Sequence, residues 1–146
     1  MLYSEKIFKN AVVNAHILVG NDYEIELVRR RLDWSKTDLL KNTNILITTL
    51  GPKGAIIETK NNTFIIPAAK PENEIDPTGA GDVFRAGFLA GFVRGLPLQT
   101  CGRMGATAAV YTVEKYGTQT HFFTKKHFIE RYRKNYPQDP KFNPVF

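Results

Sequence analysis

Asp76-Pro77-Thr78-Gly79-Ala80-Gly81-Asp82 is a glycine-bearing turn that opens directly into an apolar, small-residue run, Val83 to Phe92. A turn of this kind can aim backbone N–H groups at an anion, because the first amides of a helix have no partner inside it. The helix dipole adds partial positive charge at the same place, and phosphate is the usual ligand of such a terminus. The turn nevertheless ends in a carboxylate, Asp82. An acid beside phosphate makes chemical sense when it takes a proton from a hydroxyl that attacks the phosphorus. Two standard glycine motifs do not fit. A P-loop carries Lys and then Ser or Thr after its last glycine, where this chain has Asp82-Val83. A dinucleotide fingerprint needs a small third position against the strand, where this chain has Phe84.

The elements that must hold this turn are legible from periodicity and punctuation. Ile7 to Val13 reads as the end of a helix, and His16 to Val19 as a short buried strand closed by Gly20. Asn21 is a natural N-cap for the helix that follows, which has acid in its first turn and Arg29-Arg30-Arg31 in its last, as the dipole favours. Ser35 or Thr37 caps a short helix through Leu40. Ile45 to Thr49 is a β-branched strand, followed by the turn Gly51-Pro52-Lys53-Gly54. Ala55–Thr59 and Thr63–Pro67 pair as a hairpin around Lys60-Asn61-Asn62. Helices are expected over 79–94, stopped by Gly95 and Pro97, and over 98–115, stopped by Gly117. The second carries Gly102, Gly105, Ala106, Ala108 and Ala109, so a backbone or ligand can approach it closely. Thr124 caps a last helix through Asn135, and Pro137 to Phe146 reads as an irregular tail. The order predicts an α/β fold with some antiparallel pairing.

Composition narrows the function classes. The chain has 146 residues, 42% of them hydrophobic, which suits one domain with a real core. No apolar run approaches the ~18–20 residues that span a bilayer, and Met1 to Lys6 has no signal-peptide character. No membrane partner is expected. The single cysteine, Cys101, forbids an internal disulfide, and a reducing cytoplasm is the expected compartment. The net charge of +6 is read as a solvated basic face that attracts anionic substrates. Without zinc spacing, recognition-helix pattern or aromatic-basic interleaving, nucleic acid is not an expected partner. His16, His121 and His127 have no metal spacing and no nucleophile nearby in sequence.

The turn and the run after it, Val-Phe-Arg-Ala-Gly-Phe, resemble the C-terminal signature of the ribokinase-like (PfkB) sugar and nucleoside kinases. Three further segments resemble that family in the same order. They are Asn21-Asp22-Tyr23-Glu24, Thr49 to Ala55, and Gly117-Thr118-Gln119. The wording is most similar to the prokaryotic adenosine-kinase-like branch. The resemblance runs from about Ala11 to Asn135 and implies a three-layer α/β/α ribokinase-like core with a β-hairpin and long C-terminal helices.

It also implies an ATP-dependent transfer of the γ-phosphate to an alcohol group of a sugar or nucleoside. Asp82 is then the general base, and the amides of Gly79, Ala80 and Gly81 form the anion hole. Thr49, Gly51, Lys53 and Gly54 meet the nucleotide, although a turn lysine such as Lys53 is by itself ordinarily just solvated. Asn21 and Glu24 hold Mg²⁺ largely through water, as that ion prefers. On their own these two residues read better as a capping box, and only beside the other motifs does the metal role prevail. Asp76 and Thr78 match positions that hold a monovalent cation such as K⁺ in some relatives. Ala106 stands where some ribokinases have an asparagine near the nucleotide, so recognition of the base is expected to be mainly apolar. Arg85, one turn past Asp82, can pair with that carboxylate or with a substrate group.

Length is the main departure from the family. A ribokinase-like chain is roughly twice as long, and its N-terminal half supplies the acceptor pocket and the lid. Residues 1–146 therefore read as the C-terminal portion of the kinase domain. The truncated sheet is expected to have an unpaired edge, a route to association, either as a homodimer or with a complementary N-terminal half. A non-catalytic remnant that binds nucleotide weakly or acts as an interaction module is the alternative.

Overall fold

The computed structural model describes residues 4–142. Helix α1 (Glu5–Val13) leads through a short loop into strand β1 (Ile17–Asn21). Helices α2 (Asp22–Leu32) and α3 (Lys36–Asn42) then cross to strand β2 (Ile45–Thr49). β1 and β2 are parallel, with Val19 beside Ile47 and Asn21 beside Thr49. A single 3₁₀ turn at Gly51–Lys53 reverses the chain into β3 (Ala55–Glu58), which pairs antiparallel with β2 and forms a hairpin with β4 (Thr63–Ile66). The sheet order is β1-β2-β3-β4. Three helices complete the described chain: α4 (Ala80–Phe92), α5 (Leu98–Val113) and α6 (Lys125–Asn135).

The sheet divides two cores because side chains alternate along a strand. Ile45 and Ile47 of β2, with Ile57 and Ile66 of the hairpin, face α4 and α5 and pack with Phe84, Phe88, Cys101 and Met104. Leu46 points the other way, into a cluster with Val12, Ile25, Leu32 and Leu39 from α1, α2 and α3. Helices on both faces of a mixed sheet make the three-layer α/β/α arrangement expected from the sequence. α6 lies on the α5 side through Phe128 and Tyr132.

Most predicted elements stand where expected, with shifts at their ends. Ser35, rather than Thr37, caps α3, with its hydroxyl accepting from the Asp38 amide. Thr124 caps α6 by accepting from the His127 amide. β1 continues through Gly20 to Asn21, so Asn21 is at once the last strand residue and the N-cap of α2. Gly20 permits this because a Cβ there would lie 3.1 Å from both Glu24 Cβ and Glu24 Oε2. α4 ends at Phe92 and unwinds through Gly95, whose φ of 72° suits a residue without Cβ. The tail after Tyr136 is irregular up to Phe142, and the remainder of the predicted tail, 143–146, lies outside the described residues.

Candidate functional site

The Asp76–Asp82 turn is built from both ends. The amides of Ile75 and Asp76 donate to the Val113 carbonyl at 2.9 and 3.1 Å, tying the start of the turn to the end of α5. One Asp76 carboxylate oxygen accepts from the Thr78 amide at 2.9 Å, and the other accepts from the Gly117 amide at 3.1 Å. Hydrogen bonds from Thr78, then from Gly117, hold the Asp76 carboxyl below its ordinary range. Gly79 sits at φ 83° and acts as the N-cap position of α4. A Cβ there would meet Thr118 at 3.1 Å, so the Gly117-Thr118 loop lies directly on the turn. Ala80 N–H closes back on Pro77 O at 3.1 Å. The N–H groups of Gly79 and Gly81 meet no protein acceptor among the described residues. A Cβ added at Gly81 would meet nothing within 4 Å, so the space beside this amide is open.

Asp82 lies in the first turn of α4, its side chain 78% exposed. Arg85 Nη2 donates to Asp82 Oδ1 at 2.6 Å, and Arg85 Nε donates to the Gly81 carbonyl at 3.3 Å. Of the two partners open to Arg85 from sequence, it takes the carboxylate. An exposed ion pair of this kind is weak, so a competing group can displace it at little cost.

A cavity of about 500 Å³ lies beside this turn. Its lining includes Thr49, Gly51, Lys53 and Gly54 from the β2–β3 turn, Ala80 and Gly81 from α4, and Ala106 from α5. Residues separated by more than fifty positions thus share one concave surface. Gly54 has φ 96°, and a Cβ there would fall 2.0 Å from the Ile66 carbonyl, so only glycine closes this turn against β4. The walls contributed by Phe84, Ala106, Ala109, Val110 and Val113 are apolar. The segment Pro67-Ala68-Ala69-Lys70-Pro71, with Glu74 and Pro77, supplies the remaining wall. Sequence reasoning assigned it no role. Its only signal is a pair of prolines bracketing small residues, which marks irregular chain rather than a binding surface.

Asn21, Glu24, Asp76, Thr78, Gly79 and Asp82 do not line this cavity. Asn21 reaches its neighbourhood through the strand register, opposite Thr49 at the carboxyl end of the parallel pair. In open α/β sheets that is the end where ligands bind. Asn21 and Glu24 form a complete capping box: Asn21 Oδ1 accepts from the Glu24 amide at 2.7 Å, and Glu24 Oε2 accepts from the Asn21 amide at 2.8 Å. Among the described residues, no three His, Cys, Asp or Glu side chains gather as a metal cage. The donor set therefore suits only an ion that keeps most of its waters, as Mg²⁺ does. Both Asp76 oxygens already hold backbone amides, which gives this carboxylate a structural task whether or not a cation lies nearby.

The model of the pfkB family of carbohydrate kinases matches residues 4–125. The chain belongs to the pfkB family. This pfkB chain is 38% identical over 133 residues to the nucleoside kinase of Methanocaldococcus jannaschii, covering 91% of this chain and 44% of that protein. The solved structure of that enzyme superposes with a TM-score of 0.85 at 39% identity, over 90% of this chain and 44% of the other. A Burkholderia thailandensis nucleoside kinase, solved in complex with ADP-inosine, gives a TM-score of 0.91 at 31% identity, over 97% of this chain and 44% of that one. The pfkB chain thus has the ribokinase-like fold of phosphotransferases. It spans less than half the length of these relatives.

Proposed function

We propose that this chain is the C-terminal, nucleotide-holding portion of a pfkB kinase that phosphorylates a hydroxyl of a nucleoside or sugar. A nucleoside is favoured, because the nucleoside kinases of M. jannaschii and B. thailandensis resemble the chain over nine-tenths or more of its length. The observation that carries the proposal is the single cavity shared by the Thr49–Gly54 turn and the start of α4, with Asp82 one residue past its edge. The amides of Gly79 and Gly81, which meet no protein acceptor among the described residues, and the open space beside Gly81 support an anion-binding role.

When bound, ATP supplies the transferable phosphoryl group and Mg²⁺ neutralises its charge. The chain's own residues have distinct tasks around that group. Asp82 accepts the proton of the acceptor hydroxyl, a role typically worth about 10²–10⁴ in rate. The amides of Gly79 and Gly81 hold the developing negative charge; a preorganised donor of this type is worth ~3–4 kcal/mol. Ala80 N–H joins them only if it leaves Pro77 O. The Thr49–Gly54 turn cradles the nucleotide with backbone, Lys53 adds charge at the rim, and Ala106 gives the base an apolar wall. Asn21 and Glu24 would hold Mg²⁺ largely through its water shell. Asp76 holds the turn in shape, and a K⁺ ion at Asp76 and Thr78 gains no support from the geometry.

A second reading also has an observation behind it. Asp82 is largely solvent-exposed, and the chain spans 44% of its relatives; a binding remnant without turnover is consistent with both. Measuring ADP formation with ATP, Mg²⁺ and a panel of nucleosides and sugars separates the two. We expect little turnover by the 146-residue chain and robust turnover once a complementary N-terminal half is supplied. In the complemented enzyme, Asp82→Ala should lower kcat by about 10²-fold or more while ATP affinity is retained. Undiminished kcat in that variant removes Asp82 from the role of base.

A further inference from the structure

The wall of the cavity that sequence reasoning missed has no regular structure of its own. It is held from outside by α6, a helix whose residues do not line the cavity. Asn135 Oδ1 accepts from the Lys70 amide at 2.8 Å across 65 positions, and its own Nδ2 donates to the Arg131 carbonyl at 2.9 Å, which fixes the orientation of the amide. The Tyr136 hydroxyl, on a side chain that is 6% exposed, donates to the Pro67 carbonyl at 2.7 Å. Arg131 reaches both Glu114 at 2.6 Å and Glu72 at 3.1 Å, and Glu114 also accepts from the Glu72 amide at 2.6 Å. α6 itself packs on α5, whose Ala106, Ala109, Val110 and Val113 form the opposite wall. α6 and its C-cap residue Tyr136 therefore hold this wall at Pro67 and Lys70, and Arg131 secures the chain at Glu72, beside the lining.

We propose that α6 is a clamp that sets the width of the nucleotide cavity, with Asn135 and Tyr136 as positioning residues and Arg131 as its anchor. The proposal rests on the nucleotide reading of the cavity. An irregular segment freed from these bonds samples many conformations, and a ligand must then order it on binding, which weakens affinity. The clamp removes that cost before the nucleotide arrives.

The test uses the full 146-residue chain with ATP as the probe. Asn135→Ala and Tyr136→Phe each remove one hydrogen bond, and each should raise the Kd for ATP about three- to ten-fold. The Lys70 amide should exchange with solvent faster in Asn135→Ala, with Tm nearly unchanged. A merely structural role predicts a lower Tm with unaltered ATP affinity in the folded protein. Unchanged Kd in both variants overturns the clamp while leaving the nucleotide site intact. Absence of ATP binding by the unsubstituted chain overturns the nucleotide reading itself, and the clamp with it.

Discussion

Asp76 and Asp82 are two carboxylates of one turn with opposite circumstances. Asp82 projects into solvent beside Arg85, whereas Asp76 accepts backbone amides from Thr78 and Gly117 on its two oxygens. Because these bonds lower the Asp76 pKa from its ordinary value of 3.8, the unfolded chain takes up the proton first as pH falls. Stability supplied by this residue is fully present above that ordinary value and is lost as pH drops through the lower folded value. The Tm of the unsubstituted chain should therefore fall more steeply below about pH 4 than that of Asp76→Asn; superimposable acid limbs would refute the assignment. Cys101 illustrates a residue whose role was legible from type alone. It is fully buried, and burial pushes its thiol up to about 11, so it packs as a small apolar group rather than reacting. Asp76 was harder to read. Its match to a cation position is a matter of residue type, whereas its bond to Gly117 joins groups 41 positions apart.

At the scale of elements, the cavity depends on how closely α4 and α5 approach. A Cβ on Gly87 would fall 2.8 Å from the Met104 carbonyl, and one on Gly105 would fall 2.7 Å from the Phe84 carbonyl. Neither backbone atom can move aside without shifting a helix. Gly87→Ala should therefore destabilise the chain by about 1–3 kcal/mol, the usual cost of overpacking. Gly81→Ala meets open space and improves helix propensity by up to about 1 kcal/mol, so its urea midpoint should hold or rise while ATP binding weakens. Equal losses of stability in the two variants would contradict this division between packing and ligand glycines. The glycines and alanines of 98–115 announced close approach from the sequence, and the elements themselves were readable because apolar periods and turn residues act locally. The wall at Pro67–Pro71 was not readable. Its placement depends on Asn135 and Tyr136, and no local pattern encodes a hydrogen bond between an irregular segment and a distant helix.

For the whole molecule, the sheet among the described residues ends at β1, which pairs there with β2 alone. Leu89 of α4, the helix that covers one face of β1, is exposed, as are Val93 just past its end and Val13 of α1. An open edge flanked by apolar side chains favours association. In sedimentation velocity the chain alone should grow in mass with concentration, and Leu89→Lys with Val93→Asp should reduce that growth without lowering Tm. A concentration-independent monomer would argue against this face as an interface. No described helix is long and apolar enough to cross a membrane. The amino-acid sequence by itself determined the family and the order of helices and strands. It also determined the presence of an amide turn ending in an acid, because those depend on residue types within a few positions of one another. Only the tertiary structure decided which residues share a cavity, that Arg85 pairs with Asp82, that Asp76 braces its own turn, and that α6 holds a wall it does not line. Each of these is a contact between groups whose separation in space is set by the packing of whole elements on the sheet.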